Sequence, residues 1–122
     1  MKILIADDSA FMRTILKDIV AKSNWAGAQV VEAIDGLDAV EKFKAETPDL
    51  VLLDVIMPGQ DGIAVLKEIG HSAKSVVIVS SVDQNAVIDE AKGLGAKDYI
   101  MKPFDASKVL EVLNSLLPAQ GA

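Results

Sequence analysis

The sequence predicts an α/β domain, a doubly wound five-stranded parallel sheet with helices on both faces. Three observations carry that expectation. Five short apolar runs alternate with five segments of helical period along the chain. The runs are mostly β-branched or leucine-rich and lack polar–apolar alternation, as do strands covered on both faces. Strands that alternate with helices in this way form βαβ units and hence parallel sheets.

Taken in order, the first run is Ile3-Leu4-Ile5-Ala6. The stripe Met12, Ile15, Leu16, Ile19, Val20 follows at i, i+3, i+4, i+7, i+8 and reads as a helix. Val30-Val31 is the second strand, followed by a stripe from Leu37 through Val40 and Phe43. Leu50-Val51-Leu52-Leu53 is the third strand, with Ile63, Leu66 and Ile69 on its helix. Val76-Val77-Ile78-Val79 is the fourth, followed by Val87, Ile88, Ala91 and Leu94. Tyr99-Ile100-Met101 is the fifth, followed by Val109, Leu110, Leu113, Leu116 and Leu117. Gly70, Gly93 and Gly95 stand where helices should end, and Asp35-Gly36 and Pro58-Gly59 are turn signals. No linker, repeat or low-complexity tract interrupts the pattern, so residues 1–122 read as one domain.

Composition narrows the function. The 122 residues suit a single core, and a second domain of ordinary size would not fit. The chain is 51% hydrophobic with only 4% aromatics, so the core must be aliphatic. A formal net charge of −6 lacks the basic footprint needed to grip nucleic-acid phosphates or an anionic membrane. The absence of cysteine excludes disulfides, thiolate catalysis and cysteine metal sites. The opening apolar run is too short for a signal peptide, and no run approaches a membrane span. A cytoplasmic monomer is expected.

In open parallel sheets, ligands bind beyond the carboxyl ends of the strands. Here the first run ends in Asp7-Asp8, the third in Asp54, the fourth in Ser80-Ser81 and the fifth in Lys102-Pro103. Three carboxylates, a hydroxyl and an ammonium should therefore converge on one edge. Two unit charges about 5 Å apart repel by roughly 3 kcal/mol at an effective dielectric near 20. Clustering carboxylates makes sense if a cation sits between them. An all-oxygen donor set favours a hard ion such as Mg²⁺, which keeps waters and can also bind a phosphoryl oxygen. One carboxylate can then act as nucleophile and form an acyl phosphate. Lys102 would balance the added charge, and the Ser80 hydroxyl can donate to a phosphoryl oxygen.

Simpler roles exist for each residue alone. Asp8 or Ser9 can cap a helix, Asp54 can sit in a turn and Lys102-Pro103 can be a loop. None of these explains why all five groups fall at strand ends. His71, the only histidine, lies near the end of the third helix and reads as solvent-exposed. Met12, Met57 and Met101 read as core filling, and Trp25 as a cover for the core. The glycines form neither a dinucleotide fingerprint nor a P-loop.

Asp7-Asp8, Asp54 with Met57-Pro58 and Asp61-Gly62, Ser80, Gly95-Ala96-Lys97-Asp98-Tyr99 and Lys102-Pro103-Phe104 together resemble the receiver domain of two-component response regulators. The resemblance covers essentially the full chain, and the opening Asp7-Asp8-Ser9-Ala10-Phe11-Met12-Arg13 is similar to its chemotaxis members. It implies a flavodoxin-like strand order of 2-1-3-4-5, which is the family's own order and not a consequence of the patterning. It implies that Asp54 accepts a phosphoryl group from the phosphohistidine of a CheA-like sensor histidine kinase. Asp8, Asp54 and the Ile56 main-chain carbonyl would hold Mg²⁺, with Asp7 acting through water. Lys102 and Ser80 would contact the phosphoryl group, and Tyr99 would rotate as Ser80 is drawn towards it. Pro103 matches a proline that usually follows a cis bond.

The chain also departs from family habits. Ser80 replaces a common threonine, Val55 leaves no tryptophan beside the nucleophile, and Ile56 and Val82 are apolar where some members carry polar residues that place the hydrolytic water. No output module follows Pro118-Ala-Gln-Gly-Ala, so a stand-alone regulator is expected. Its output would be a reversibly bound partner, a motor switch protein or motor adaptor, on the fourth helix, fifth strand and fifth helix. A phosphatase is a further candidate partner. The chain would catalyse only its own phosphorylation and dephosphorylation and is not expected to be an enzyme otherwise. Two rival classes are a receiver relay outside motility and a haloacid-dehalogenase-like phosphatase. The latter places Asp-x-Asp at the first strand, a pattern that Asp7-Asp8-Ser9 breaks.

Overall fold

The computed structural model describes residues 1–116. Its elements are β1 (Lys2–Ala6), α1 (Ala10–Lys22), β2 (Gln29–Ala33), α2 (Gly36–Glu46), β3 (Leu50–Leu53), α3 (Gly62–Ile69), β4 (Val76–Ser80), α4 (Asn85–Gly93), β5 (Asp98–Met101) and α5 (Ala106–Ser115). The five strands are parallel and ordered β2-β1-β3-β4-β5. Leu117 and the five residues after it lie outside the described residues.

Successive side chains of a strand point to opposite faces, and the central strands therefore feed two cores. Leu4, Val51, Leu53 and Ile78 face α2, α3 and α4 through Val40, Phe43, Val65, Leu66, Ile69 and Ala91. Ile3, Ile5, Leu52, Val77 and Val79 face α1 and α5 through Leu16, Ile19, Val20, Val109, Val112 and Leu113. Both faces being covered explains the missing alternation in the sequence. Trp25 closes the second core, and its buried Nε1–H donates to the Leu113 carbonyl at 2.8 Å.

Three helices begin on side-chain caps that satisfy otherwise orphaned N–H groups. Ser9 Oγ accepts from Met12 N, an Asp35 carboxylate oxygen from Asp38 N and an Asp61 oxygen from Ala64 N. Asp35-Gly36, expected as a turn, is thus the cap and first residue of α2. Leu37 also departs from expectation: it stands 61% exposed and does not begin the α2 stripe. Ala39, Val40 and Phe43 carry that buried face. Leu37 lies where α2 starts, beyond the end of β2, and has no sheet beneath it.

Two glycines permit close approaches that shape the site's edge. A Cβ on Gly36 would stand 1.6 Å from the Gln60 carbonyl oxygen, and one on Gly62 would stand 2.0 Å from that of Asp54. Among the described residues no helix is long and apolar enough to cross a membrane.

Candidate functional site

The register brings the strand ends together. Ala6 pairs with Ala33 and Leu53, Leu53 with Ile78, and Ser80 with Met101. Asp7 N donates to the Ala33 carbonyl, Asp54 N to the Ala6 carbonyl and Lys102 N to the Ser80 carbonyl. Residues that follow adjacent strands are thereby held one strand spacing apart, about 4.8 Å.

Asp7 and Asp54 are buried, whereas Asp8 is exposed. One carboxylate oxygen from each of the three lies within 4.8 Å of the others. Lys102 Nζ sits between the two buried ones, donating to Asp7 Oδ2 and Asp54 Oδ2 at 2.9 Å each. Burial alone would lower the Lys102 pKa. The hydrogen bonds that Lys102 donates to Asp7 and Asp54, with the negative charges of those carboxylates, outweigh that and hold the ammonium above its ordinary value. The remaining oxygens are also engaged: Asp7 Oδ1 accepts from Ser9 N and Asp54 Oδ1 from Ile56 N.

The single charge of the Lys102 ammonium does not balance three carboxylates. Asp8 accepts no side-chain hydrogen bond among the described residues and faces solvent. An all-oxygen set with one open, hydrated carboxylate fits a hard divalent ion that retains waters. The donor chemistry suits Mg²⁺, with Asp8 the open carboxylate and Asp7 and Asp54 each engaged by Lys102 and by one main-chain N–H.

The comparisons with known proteins identify the family. Residues 3–114 match the model of the response regulator receiver domain. The chain belongs to that family. This receiver domain is 45% identical over 118 residues to chemotaxis protein CheY of Bacillus subtilis strain 168, covering 95% of this chain and 97% of that protein. It is 37% identical to sporulation initiation phosphotransferase F of the same organism, covering 96% of this chain and 94% of that one. Among solved structures, the CheX–CheY–BeF3–Mg complex from Borrelia burgdorferi matches with a TM-score of 0.85 and 33% identity, over 97% of this chain and 90% of the other.

Of the remaining residues of the expected site, Ser80 and Ile56 fall on the same edge, and Tyr99 lies two residues inside it on β5. Ser80 ends β4 fully buried, and its Oγ accepts from Val82 N at 3.2 Å. The Tyr99 ring is buried in the core beneath α2, α3 and α4, and its hydroxyl donates to the Val82 carbonyl at 2.6 Å. Burial is the main cause that pushes its phenol pKa up. The Lys102–Pro103 peptide bond is cis. Ile56 lies in the turn after Asp54 with its side chain exposed, and His71 is exposed just beyond α3.

Sequence reasoning gave no role to Arg13 or Glu32. Arg13 Nε donates to Glu32 Oε1 at 2.9 Å, and its Nη1 donates to the Asp7 carbonyl at 2.7 Å. One signal was available. α1 has no acidic residue in its first turn, and a cation just after that turn opposes the helix dipole, so it needs a specific partner.

Proposed function

We propose that this receiver domain is a phosphorylatable response regulator that takes a phosphoryl group from the phosphohistidine of a CheA-like sensor histidine kinase onto Asp54. The observation that carries the reading is the Lys102 ammonium bridging two buried carboxylates beside an open third. An Asp54 carboxylate oxygen attacks phosphorus, the P–N bond breaks, and its electron pair returns to the imidazole. The product is an acyl phosphate. Mg²⁺, when bound by Asp8, Asp54 and the Ile56 carbonyl, supplies neutralising charge for the phosphoryl oxygens. Asp7 would act on the ion through water. Lys102 is the protein's own counter-charge, and Ser80 is the donor that would turn from Val82 towards the new oxygens. Beyond this self-modification, no substrate turnover is assigned to the chain.

The output is proposed to be a change in affinity for a partner in chemotaxis, a motor switch protein or motor adaptor, on the face of α4, β5 and α5. The protein would work as a monomer in the cytoplasm, and a phosphatase would reset it. The similarity to CheY supports the motility branch. The weaker similarity to sporulation initiation phosphotransferase F supports a second reading, a relay outside motility.

Intact-mass measurement after incubation with an acyl-phosphate donor tests the chemistry. Wild type should gain one phosphoryl group with Mg²⁺ and little in chelator, and Asp54→Asn should gain none. A modified Asp54→Asn would overturn the assignment. Transfer from the phosphorylated chain to a histidine phosphotransfer domain, in preference to binding a motor switch protein, would favour the relay.

A further inference from the structure

We propose that Arg13 is a positioning residue for the cation site, acting through the Asp7–Asp8 peptide. This inference rests on the Mg²⁺ reading above. The carbonyl of Asp7 belongs to the peptide unit that leads into Asp8. A peptide is planar, so fixing its oxygen fixes the direction in which the Asp8 Cα leaves. Arg13 Nη1 donates to that oxygen at 2.7 Å. Asp8 has no side-chain hydrogen bond of its own among the described residues, so its placement depends on the backbone that carries it.

The guanidinium is itself held. Its side chain is 12% exposed, and Nε donates to Glu32 Oε1 at 2.9 Å. Glu32 is fixed in turn on the edge strand β2, where Lys17 donates to Oε2 at 3.0 Å and Lys42 to the Glu32 carbonyl at 3.1 Å. The rigid fork of an arginine can serve both acceptors at once, and a lysine ammonium at the end of a flexible stem is not organised to do so. Arg13 thus ties the end of β1 to its only neighbour on that side, at the point where the ladder has ended.

Charge alone works in the opposite sense. A guanidinium near three carboxylates repels a divalent ion, so removing it should tighten Mg²⁺ binding if electrostatics governs. If positioning governs, removal should weaken binding. The sign separates the two.

Isothermal titration calorimetry with Mg²⁺, well below the melting temperature of each protein, reads affinity in the native state and not stability. Wild type, Arg13→Gln, Arg13→Lys and Asp8→Asn should be compared. Arg13→Gln and Arg13→Lys are each expected to bind Mg²⁺ about tenfold more weakly than wild type, as loss of a residue supporting a metal ligand typically does. Arg13→Lys retains charge and bulk, and keeps the test available should Arg13→Gln fold poorly. Equal or tighter binding by Arg13→Lys, with Asp8→Asn losing it, would overturn the positioning role and leave the cation site standing. Failure of wild type to bind Mg²⁺ would overturn both.

Discussion

Ser80 and Tyr99 share one residue: the Val82 N–H donates to Ser80 Oγ, and the Val82 carbonyl accepts from the Tyr99 hydroxyl. The turn after β4 is therefore held at both polar ends of a single residue. A phosphoryl group on Asp54 brings about two negative charges and strong acceptors. Ser80 should turn towards them, because a charge-assisted hydrogen bond is stronger than a neutral one. That releases Val82 N and biases the turn on which Tyr99 is anchored, a population shift between two packings. Ser80→Ala should still be phosphorylated on Asp54 but gain little partner affinity from it. Binding measured with and without a stable phosphoryl mimic tests this, and an undiminished gain in Ser80→Ala would refute the coupling.

Lys102→Met keeps the volume but strips Asp7 and Asp54 of their shared ammonium. Breaking a wholly buried pair costs about 3–5 kcal/mol. With Lys102 17% exposed, a loss of about 2 kcal/mol in chelator is expected. Mg²⁺ should then restore more stability to the variant than it adds to wild type, by the ligand-linkage effect. Urea melts in chelator and in excess Mg²⁺ decide it; an equal Mg²⁺ increment in both proteins would count against the shared counter-charge.

Hydrolysis of the acyl phosphate should be slow in the native chain. Ile56 and Val82, each two residues beyond a strand-end site residue, offer no polar side chain to orient a water. The Ile56→Asn, Val82→Glu double variant is expected to lose its phosphoryl group several-fold faster at fixed Mg²⁺, since a positioned general base contributes up to about 10²–10⁴-fold. A decay rate no faster than wild type would place water control elsewhere.

Acid should weaken a link far from the site. Asp49 accepts from Lys2 N and from Lys74 Nζ, and these hydrogen bonds, the backbone one foremost, hold its pKa below the ordinary value. Its depressed folded-state pKa means the link contributes fully above the unfolded value, about 3.9. The contribution is lost as pH falls through the folded value. The stability gap between wild type and Asp49→Asn should be constant from pH 7 to about 5 and close below 4. A gap independent of pH would exclude ionisation of Asp49 as its source.

The strand runs were legible because each is short and apolar, and all but the second are followed at once by a chemical group. Leu50–Leu53 ends where the pattern placed it, with Asp54 next. Helix starts were less legible, because a cap is recognised by geometry. Asp35-Gly36 reads equally as a turn or as a cap, and only the Asp38 N–H donating to the Asp35 carboxylate makes it the latter. Leu37 misled because helical spacing does not say whether a sheet lies beneath. Arg13 at the start of α1 signals the need for a partner, but that the partner is Glu32 was not legible, since it lies in a different element with no periodic relation.

The division of the interior into two unconnected layers decides what an optical probe can see. Tyr99 and the turn it anchors belong to one layer, and the only indole belongs to the other, bonded to the end of α5. Trp25 emission should follow global unfolding closely. It should remain nearly flat through Mg²⁺ addition and phosphoryl transfer, and an experimenter watching it would take a working regulator for an inert one. A tryptophan placed at Val55, beside Asp54, would put the chromophore where the chemistry is.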